Sequence, residues 1–595
     1  MANSSEENDR AKEIGKYLKV LAQVRLPFED QIDNILRFVN HSRRMINDKD
    51  MMKGQKTGLE VYSDAAILAK NILVDGMVGA LCPRNSRWYT YELPGKLNFP
   101  HASGMRSWSG KRMDEYPQIR KWLQAAEEVT YFAYNYSNFY DVITEFVSDA
   151  VGPGTAHMMI EEEVAQGKIN FTVPHFRECF IAENQWGRVD TNYRVYKLTL
   201  RQLVDKFSLG RMTEIDHGFA KAYEDNIHSE REIIHAVYPR SDYSGRIDGK
   251  GKKIASIWVL RGGSLGTGTT GQPGSDTCLI EESGYDSLPC TTWRWRKNSD
   301  ESYGRSPSWD SWVSVALSNQ QGRTNTIAGQ KMAEPPLVAP RDLRGQINRG
   351  PNGQTFIDTK QDIRTRAPFP LNEGMQLPYS VEAQTRTEKI INEHFYTGFF
   401  QMLLQMAMNK VTASPTQVIE MMGEQAAVLG TRIGNFQSEG LFPIQDRVFE
   451  IEAKAGRIPD PPQILLDIQG NKAIQIAYLG PLSQAQERLT RIRTIQSTLE
   501  QLKPLAEIFG PMALDRVDVD ETVGEILDAG GFPASCERDQ KRIDAIRQNR
   551  QKAAEQQQKL EAMKVIPKAA AAAGKAAQDG SPLQKLMGGD QENGG

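Results

Sequence analysis

The sequence has few cysteines and no long apolar run, and both shortages exclude classes of protein. Its five cysteines are odd in number and far apart, which argues against a disulfide framework and for reduced thiols in a cytosolic compartment. The longest strongly apolar run, Phe399–Met408, is about half the length of a membrane span, so no transmembrane helix is predicted. The opening residues, MANSSEENDRAKE, contain no apolar h-region, and we expect no secretion signal there.

No single sign of charge dominates. The 72 basic residues nearly balance the 75 acidic ones, leaving a net charge of −3 and excluding a large single-signed surface for nucleic acid or membrane. Apolar residues make up 39% of the 595, which excludes a wholly disordered chain, and this length exceeds what one hydrophobic core usually holds. Several domains are therefore predicted.

The motifs of common enzymes are also missing. The sequence contains no G-x-x-x-x-G-K-[ST] phosphate loop. Its eight histidines are scattered: His228 and His235 flank a Glu pair, but not in H-E-x-x-H order, and no cysteines have metal-pair spacing. The acidic run Glu161–Glu163 falls on a predicted strand, where neighbouring residues face opposite sides. We predict no catalytic residue, no metal and no cofactor.

One glycine-rich loop, Gly262–Gly274, offers two enzyme motifs. It contains G-x-G-x-x-G, typical of dinucleotide binding, and G-x-S-x-G around Ser264, typical of a hydrolase nucleophile. Both mechanisms require a helix directly after the loop. The sequence predicts a strand at Thr277–Glu282 instead, so a hairpin tip is the preferred interpretation. A hydrolase or dehydrogenase using this loop remains the alternative from a different functional class.

The first half of the chain mixes helices and strands. Apolar residues from Phe28 to Val39 recur at helical spacing, and further helices are predicted at Asp64–Ala80 and Pro117–Tyr136. Residues 158–260 contain short β-rich runs separated by turns. The predicted fold class is α+β.

Two long predicted helices follow, and the order of their apolar and polar halves is reversed. The first, Ser306–Lys331, begins with a Ser cap and Pro and is apolar in its first half; the second, Val381–Met408, is apolar in its second half. Folded antiparallel, their apolar halves meet in a core and their polar halves project into solvent. The alternative is two ordinary helices of a bundle joined by a long disordered connection.

Two connecting segments carry candidate functions. The loop between the helices holds six basic residues against three acids, a net charge of +3, although a solvated loop explains this as well. The basic residues are Arg341, Arg344, Arg349, Lys360, Arg364 and Arg366. The second segment, Asn409–Lys410–Val411–Thr412–Ala413, must break the helix because Ser414–Pro415 starts another. It suits either a loop that lines a water-filled passage or an ordinary surface turn.

Six collinear segments give the chain a family resemblance. It resembles the portal (head-to-tail connecting) proteins of short-tailed, podovirus-type bacteriophages over about Arg25 to Arg550. The segments are GMVGALCPRNSRWYTYEL (Gly76–Leu93), DAVGPGTAHMMIEE (Asp149–Glu162), the run Glu183–Arg194, YGRSP (Tyr303–Pro307), SPTQVIEMMGE (Ser414–Glu424) and QSEGLFPIQDRVFEI (Gln437–Ile451).

The resemblance implies a portal-type subunit with an α/β wing, a two-helix antiparallel stem, a clip and a helical crown, assembling as a ring. The implied divisions are an N-terminal wing (1–305), stem helix 1 (306–331), clip (332–380), stem helix 2 (381–408), tunnel loop and C-terminal wing helix (409–460), crown (461–550), and a polar Gln/Ala-rich tail (551–595) that is partly disordered. Stem packing is expected from Trp309, Trp312, Phe395, Phe399 and Leu403.

It also implies a function without catalysis. Such rings, usually of twelve subunits, sit at one capsid vertex of the virion, after assembly in the host cytoplasm, and pass double-stranded DNA during packaging and ejection. Asn409–Ala413 would be the channel loop, and the clip cations would steer DNA and dock partners. The implied partners are the terminase large subunit, head–tail adaptor or tail tubular proteins, the major capsid protein, and scaffolding or internal core proteins. A tail adaptor ring is a further alternative.

Overall fold

The structure is a computed structural model in which part of the chain is described. The described residues are 2–43, 58, 60–92, 117–163, 165–216, 218–241, 243, 251–261, 277–334, 336–339, 341, 347–348, 369–370, 377–401, 430–462, 475–478, 522, 546–550 and 552. The chain divides into two compact units, Met1–Gln486 and Glu487–Gly595. The described residues of the second unit are helical. All elements below belong to the first unit.

Helices make up much of this unit. They are α1 (Ala2–Phe38), α2 (Ala65–Leu81), α3 (Pro117–Tyr136), α4 (Phe139–Val151), α5 (Leu200–Phe207), α6 (Leu209–Ile215), α7 (Phe219–Asp225), α8 (Pro307–Asp310), α9 (Trp312–Ala333), α10 (Leu377–His394) and α11 (Phe442–Lys454). A π-helix, Phe436–Leu441, leads into α11. The helices predicted from Phe28, at Asp64–Ala80 and at Pro117–Tyr136 are confirmed.

The strands form antiparallel sheets. They are β1 (Tyr89–Glu92), β2 (Thr155–Glu163), β3 (Lys168–Thr172), β4 (Cys179–Glu183), β5 (Val189–Thr199), β6 (Glu230–Pro239), β7 (Ile254–Arg261), β8 (Thr277–Tyr285), β9 (Cys290–Arg294), β10 (Leu337–Val338), β11 (Phe369–Pro370) and β12 (Gln475–Tyr478). One sheet has the order β4-β5-β6-β7-β8 and another β3-β2-β9, while β1 pairs with β12 and β10 with β11. The mixed α+β class is confirmed.

The five-stranded sheet is buried on both faces. Along β7, Ala255, Ile257 and Val259 belong to the core against α1. Trp258 and Leu260 belong to the core against α5, α6 and α7. Because successive strand residues face opposite sides, a strand buried on both faces is mainly apolar, and β7 is apolar apart from Ser256 and its last residue, Arg261.

The largest core lies around the three-stranded sheet. It joins that sheet to α2, α3, α4 and α11, with Trp293 of β9 and Phe146 of α4 among its fully buried residues. Their ring centroids are 5.9 Å apart. The bases of α9 and α10 enter the same core through Val315 and Ile391. The long helices are thus anchored in the body of the unit.

Helices α9 and α10 pack antiparallel. The amide Nδ2 of Asn325 donates to Oε1 of Gln384 at 2.7 Å. Ser63 bridges the pair nearer the base: its Oγ accepts from Ser318 at 2.9 Å and donates to Glu388 at 3.3 Å. Later residues of α9 therefore meet earlier residues of α10, as the polarity of the two segments predicts.

The first long helix differs in detail from the prediction. It starts at Pro307 as predicted, but the Ser306 side chain does not cap it; its Oγ donates to the Gly152 carbonyl at 2.6 Å. The helix is also interrupted at Ser311, where φ is −88° and ψ is −1°, and it ends at Ala333. Ser306 is drawn away because a buried hydroxyl needs a partner, and the neighbouring strand connection supplies one.

The predicted continuous helix Val381–Met408 is wrong. Helix α10 ends at His394, and Tyr396 has φ +53°, a left-handed conformation that terminates helices. Residues 397–401 are helical again after this break. The turn places Phe399 and Phe400 in the main core beside α2, and this burial favours the break. Residues 402–408 lie outside the described residues.

The apolar first half of α9 is only partly embedded, contrary to expectation. Trp312 packs against the main core, but Val313 is 77% exposed and Leu317 is also exposed. A helix presents residues to all sides, and the core reaches only one of them. Val313 and Leu317, together with Ile327 and Met332 further along the helix, are therefore exposed to solvent in a single copy of the chain.

Candidate functional site

Several of the quoted motifs meet at the base of the α9–α10 hairpin, while Ser414–Glu424 lies outside the described residues. Tyr303 of YGRSP is fully buried, and its hydroxyl accepts a hydrogen bond from the backbone N–H of Ile181 at 3.2 Å. Its ring lies 5.5 Å from that of Phe28 and 5.5 Å from that of Phe176. The motif ties the first long helix to α1 and to the five-stranded sheet.

Two glycines let this motif lie against the turn before β2. A Cβ on Gly154 would lie 2.4 Å from the carbonyl oxygen of Gly304, and Gly154 has φ +101°. The N–H of Gly304 donates to Oγ1 of Thr155 at 2.8 Å. Ser308 Oγ donates to the Val151 carbonyl at 2.7 Å. Chain contact this close requires residues without a Cβ.

The predicted stem residues of the first helix lie at its junction with the body. Trp309 is half-buried, its Nε1 donates to the Pro153 carbonyl at 2.9 Å, and its ring lies 6.1 Å from that of Phe28. The Trp312 ring lies 5.8 Å from that of Phe38. Both indoles thus bind the helix to α1 and to the turn after α4.

Of the stem residues predicted on the second helix, Phe395 and Phe399 lie just beyond the end of α10; Phe395 is fully buried and Phe399 nearly so, both in the main core. Leu403 lies outside the described residues. Their neighbour Phe400 packs onto α2 so tightly that a Cβ on Gly76 would lie 2.1 Å from its ring. Gly76 opens the first quoted motif, whose glycine therefore has a steric role.

A buried arginine joins two further motifs and was missed by the sequence analysis. Arg294 is 1% exposed and forms ion pairs with Glu183 and Glu439. Its Nη2 also donates to the Gly187 carbonyl at 3.0 Å. The π-helix brings Glu439 to this position. The local sequence, Trp293–Arg294–Trp295, does not predict this burial, because an arginine on a strand is usually solvated.

A second buried polar cluster joins the ends of α1, α2 and α4. Arg43 Nε donates to Oδ1 of Asp149 at 2.9 Å. The ammonium of Lys70 donates to Asn40 at 3.1 Å and to Ser148 at 3.2 Å. Burial lowers the pKa of Lys70. These contacts give the charges of Arg43, Asp149 and Lys70 polar partners inside the body of the unit.

The predicted DNA-contacting residues fall largely outside the described part of the chain. Of the six clip cations, Arg341 is described and exposed. The other five, Arg344, Arg349, Lys360, Arg364 and Arg366, lie outside it, as do all five residues of Asn409–Ala413. Strands β10 and β11 pair within the connection from α9 to α10, with Val338 opposite Phe369. The structure therefore leaves the grouping of these cations as a prediction.

The described residues give no support to the hydrolase or dehydrogenase alternative. They contain no cluster of three or more His, Cys, Asp or Glu able to hold a metal. His235 is buried, its Nε2 lies 2.9 Å from Ser256 Oγ, and burial lowers its pKa, as a structural histidine requires. Strands β7 and β8 form the predicted hairpin, while the loop Gly262–Gly274 itself lies outside the described residues. Within the described helices, none is long and apolar enough to cross a membrane.

Comparison with known proteins agrees with the predicted resemblance. The chain is 26% identical over 563 residues to the portal protein of Salmonella phage epsilon15, covering 92% of each chain. It is 24% identical over 523 residues to the probable portal protein of Bordetella phage BPP-1, covering 86% of this chain and 85% of that one. These relatives favour a portal role over the hydrolase, dehydrogenase and adaptor alternatives.

A family model also matches most of the chain. Residues 11–536 match the family described as bacteriophage head to tail connecting protein. This span contains all six segments that suggested the resemblance, including those that the structure brings together at the base of the hairpin. The predicted family is confirmed: the chain belongs to the bacteriophage head to tail connecting proteins.

Proposed function

We propose that copies of this chain assemble into a ring, usually of twelve in such proteins, that serves as the portal of a short-tailed phage. The observation that carries the proposal is the unburied apolar surface of the long hairpin. Val313 and Leu317 of α9 and Ile390 of α10 are exposed although they lie on helices firmly anchored at their base. A closed ring buries such surfaces between neighbouring copies.

The proposed architecture follows the divisions expected from the sequence. Residues 1–305 form the wing, the two long helices form the stem, residues 332–380 form the clip, and residues 461–550 form the crown. The anchoring of Tyr303, Trp309 and Phe395 in the body supports a stem that keeps its direction under load. The clip would then be carried at the far end of the stem.

Double-stranded DNA would pass through the ring with weak, sequence-independent contact. Tight binding to bases or phosphates would stall movement, so the clip cations would steer the duplex. A charge of +3 per clip sums to roughly +36 over twelve copies before screening, which acts over about 8 Å at physiological salt. The loop Asn409–Ala413 would line the channel. No hydrolysis is assigned to the chain.

The proposed partners follow from this position at a capsid vertex in the virion. The major capsid protein would surround the wing, and scaffolding or internal core proteins would meet the ring during assembly in the host cytoplasm. The terminase large subunit would dock at the clip during packaging, and head–tail adaptor or tail tubular proteins would replace it. Exchange at one surface requires contacts that are specific yet reversible.

Ring formation is tested by light scattering and negative-stain electron microscopy of the purified protein. Twelve copies of 66.8 kDa give a particle on the order of 800 kDa. The double substitution Val313→Glu and Leu317→Glu should reduce ring formation, because it places charge on the surface proposed to be buried. The matched control is Leu209→Glu, an exposed apolar residue of α6. A stable wild-type monomer at micromolar concentration would refute the proposal.

A further inference from the structure

An indole stands exposed at the tip of the β4–β5 hairpin. Trp186 is 76% exposed, and it lies between Gln185 and Arg188, which are also exposed, in the connection between the strands. Tryptophan is the side chain most enriched among the residues that anchor protein interfaces. The turn that carries the indole is also well ordered, as expected for a residue that anchors an interface.

The turn that carries Trp186 is held rigidly. The Asn184 side chain accepts from the N–H groups of Trp186 at 3.0 Å and Arg188 at 3.1 Å. Gly187 has φ +71°, and its carbonyl accepts from the buried Arg294 and from Lys297. The backbone that carries the indole is therefore ordered before any contact forms, which lowers the entropy lost on binding.

A second exposed aromatic feature lies at the end of α3. Phe132 is 68% exposed, and its ring stacks on that of Tyr136 at 5.6 Å between centroids and 15° between planes. The ammonium of Lys168 lies 4.3 Å from the centroid of the Tyr136 ring. The exposed Phe132 ring, supported by the Tyr136 ring stacked on it, offers an apolar surface on which an indole can pack.

The two features lie at opposite ends of the three-stranded sheet. Arg294, which holds the Trp186 turn, pairs with Thr155 at the start of β2, while Lys168 pairs with Glu163 at its end. Thr155 and Glu163 are eight residues apart along β2, which corresponds to about 26 Å. A ring is built from head-to-tail contacts, and these need two different, complementary surfaces on opposite sides of each copy.

The charges beside the two features are also complementary. Arg188 is exposed next to Trp186, and Glu163 is exposed next to Lys168 and the aromatic pair. We propose that Trp186 of one copy packs on the Phe132–Tyr136 stack of the next, with Arg188 facing Glu163 across the contact. The inference rests on the proposed ring and names one contact that joins its wings.

Cysteine cross-linking tests the contact directly. In a Cys536→Ser background, whose cysteines at 82, 179, 278 and 290 are buried, Arg188→Cys combined with Glu163→Cys keeps Trp186 and the aromatic pair in place and should give a ladder of multimers with a short bismaleimide. The control pair, Arg188→Cys with Leu209→Cys, should give none. Rings that form without the 188–163 cross-link would overturn this contact and leave the ring proposal standing. A monomeric wild-type protein would refute the ring, and the contact with it.

Substitutions give an independent measurement by light scattering. Trp186→Ala should raise the concentration for half-maximal assembly roughly thirtyfold, as expected for an interface anchor, while Gln185→Ala should leave it unchanged. Arg188→Glu should weaken assembly, and adding Glu163→Arg should restore it by reversing both charges. Unchanged assembly in Trp186→Ala, or no recovery in the double reversal, would count against the pairing.

Discussion

Gly154 and Gly304 are packed backbone to backbone: a Cβ on Gly154 would lie 2.4 Å from the carbonyl oxygen of Gly304, and a Cβ on Gly304 equally close to that of Gly154. This contact joins the turn before β2 to the residue three before the first long helix. Two residues that have no side chain therefore let the start of that helix lie directly against the body of the unit.

Substitution of either glycine should destabilise the body of the unit. Gly304→Ala should lower the free energy of unfolding by about 2–4 kcal/mol, because the new Cβ meets backbone that cannot yield cheaply. Urea denaturation followed by circular dichroism measures the loss. The control is Gly79→Ala on α2, where a new Cβ would have nothing within 4 Å and the change should be neutral or stabilising.

Gly76 and Phe400 should behave as a coupled pair. Gly76→Ala should cost about 1–3 kcal/mol by overpacking the Phe400 ring. Combined with Phe400→Leu, the total loss should be smaller than the sum of the single losses by about 0.5–3 kcal/mol. Thermal unfolding of the four proteins gives the coupling, and strict additivity would show that α2 shifts instead.

Arg294 should be the most sensitive charged residue at the base of the hairpin. Arg294→Met leaves Glu183 and Glu439 without their shared guanidinium and should cost about 3 kcal/mol or more. The Trp186 turn should also loosen, seen as faster proteolysis near that residue. Arg386→Met removes an exposed pair with Glu382 and should change almost nothing. Equal effects of the two substitutions would contradict this ranking.

His157 should make stability depend on pH. Burial lowers its pKa from the ordinary 6.5 to about 3, and its Nδ1 lies 3.1 Å from Thr292 Oγ1. Below pH 6.5 the unfolded chain binds a proton that the folded chain does not, so stability falls as the pH drops, by about 1.4 kcal/mol per unit.

The measurement compares thermal unfolding near pH 7 and near pH 5.5, where most carboxylates stay ionised. The free energy of unfolding of His157→Gln should fall less steeply on acidification than that of the wild type, because the variant lacks the one proton that His157 takes up on unfolding. The contribution of the buried His235 remains in both proteins. Identical pH dependence in the two proteins would show that His157 is protonated in the folded state.

Deletion of Lys410–Thr412 should permit ring assembly and reduce DNA retention. The buried Phe395 and Phe399 that anchor the preceding helix are untouched, so the rings should survive. Particles are compared for rings by electron microscopy and for genome content by nuclease protection. Normal genome content with normal rings would mean that the segment is an ordinary turn, and absence of rings would make it structural.

Several features were predictable because they depend on local pattern. The spacing of apolar residues gave α2 and α3, and the β-rich runs gave β2, β3, β5 and β7. The reversed order of apolar and polar halves in the two long helices predicted that they pack antiparallel. Periodicity reports which side of a segment is buried, and burial is the largest favourable term in folding.

The sequence by itself determined the family, the elements and the hairpin, because these follow from residue order and polarity. Tertiary structure alone decided that the second helix turns at Tyr396, that Gly154 meets Gly304, and that Arg294 is buried between two carboxylates. Each of these is a contact between segments far apart in the chain. Their energy depends on which surfaces meet, and no local pattern of residues records that.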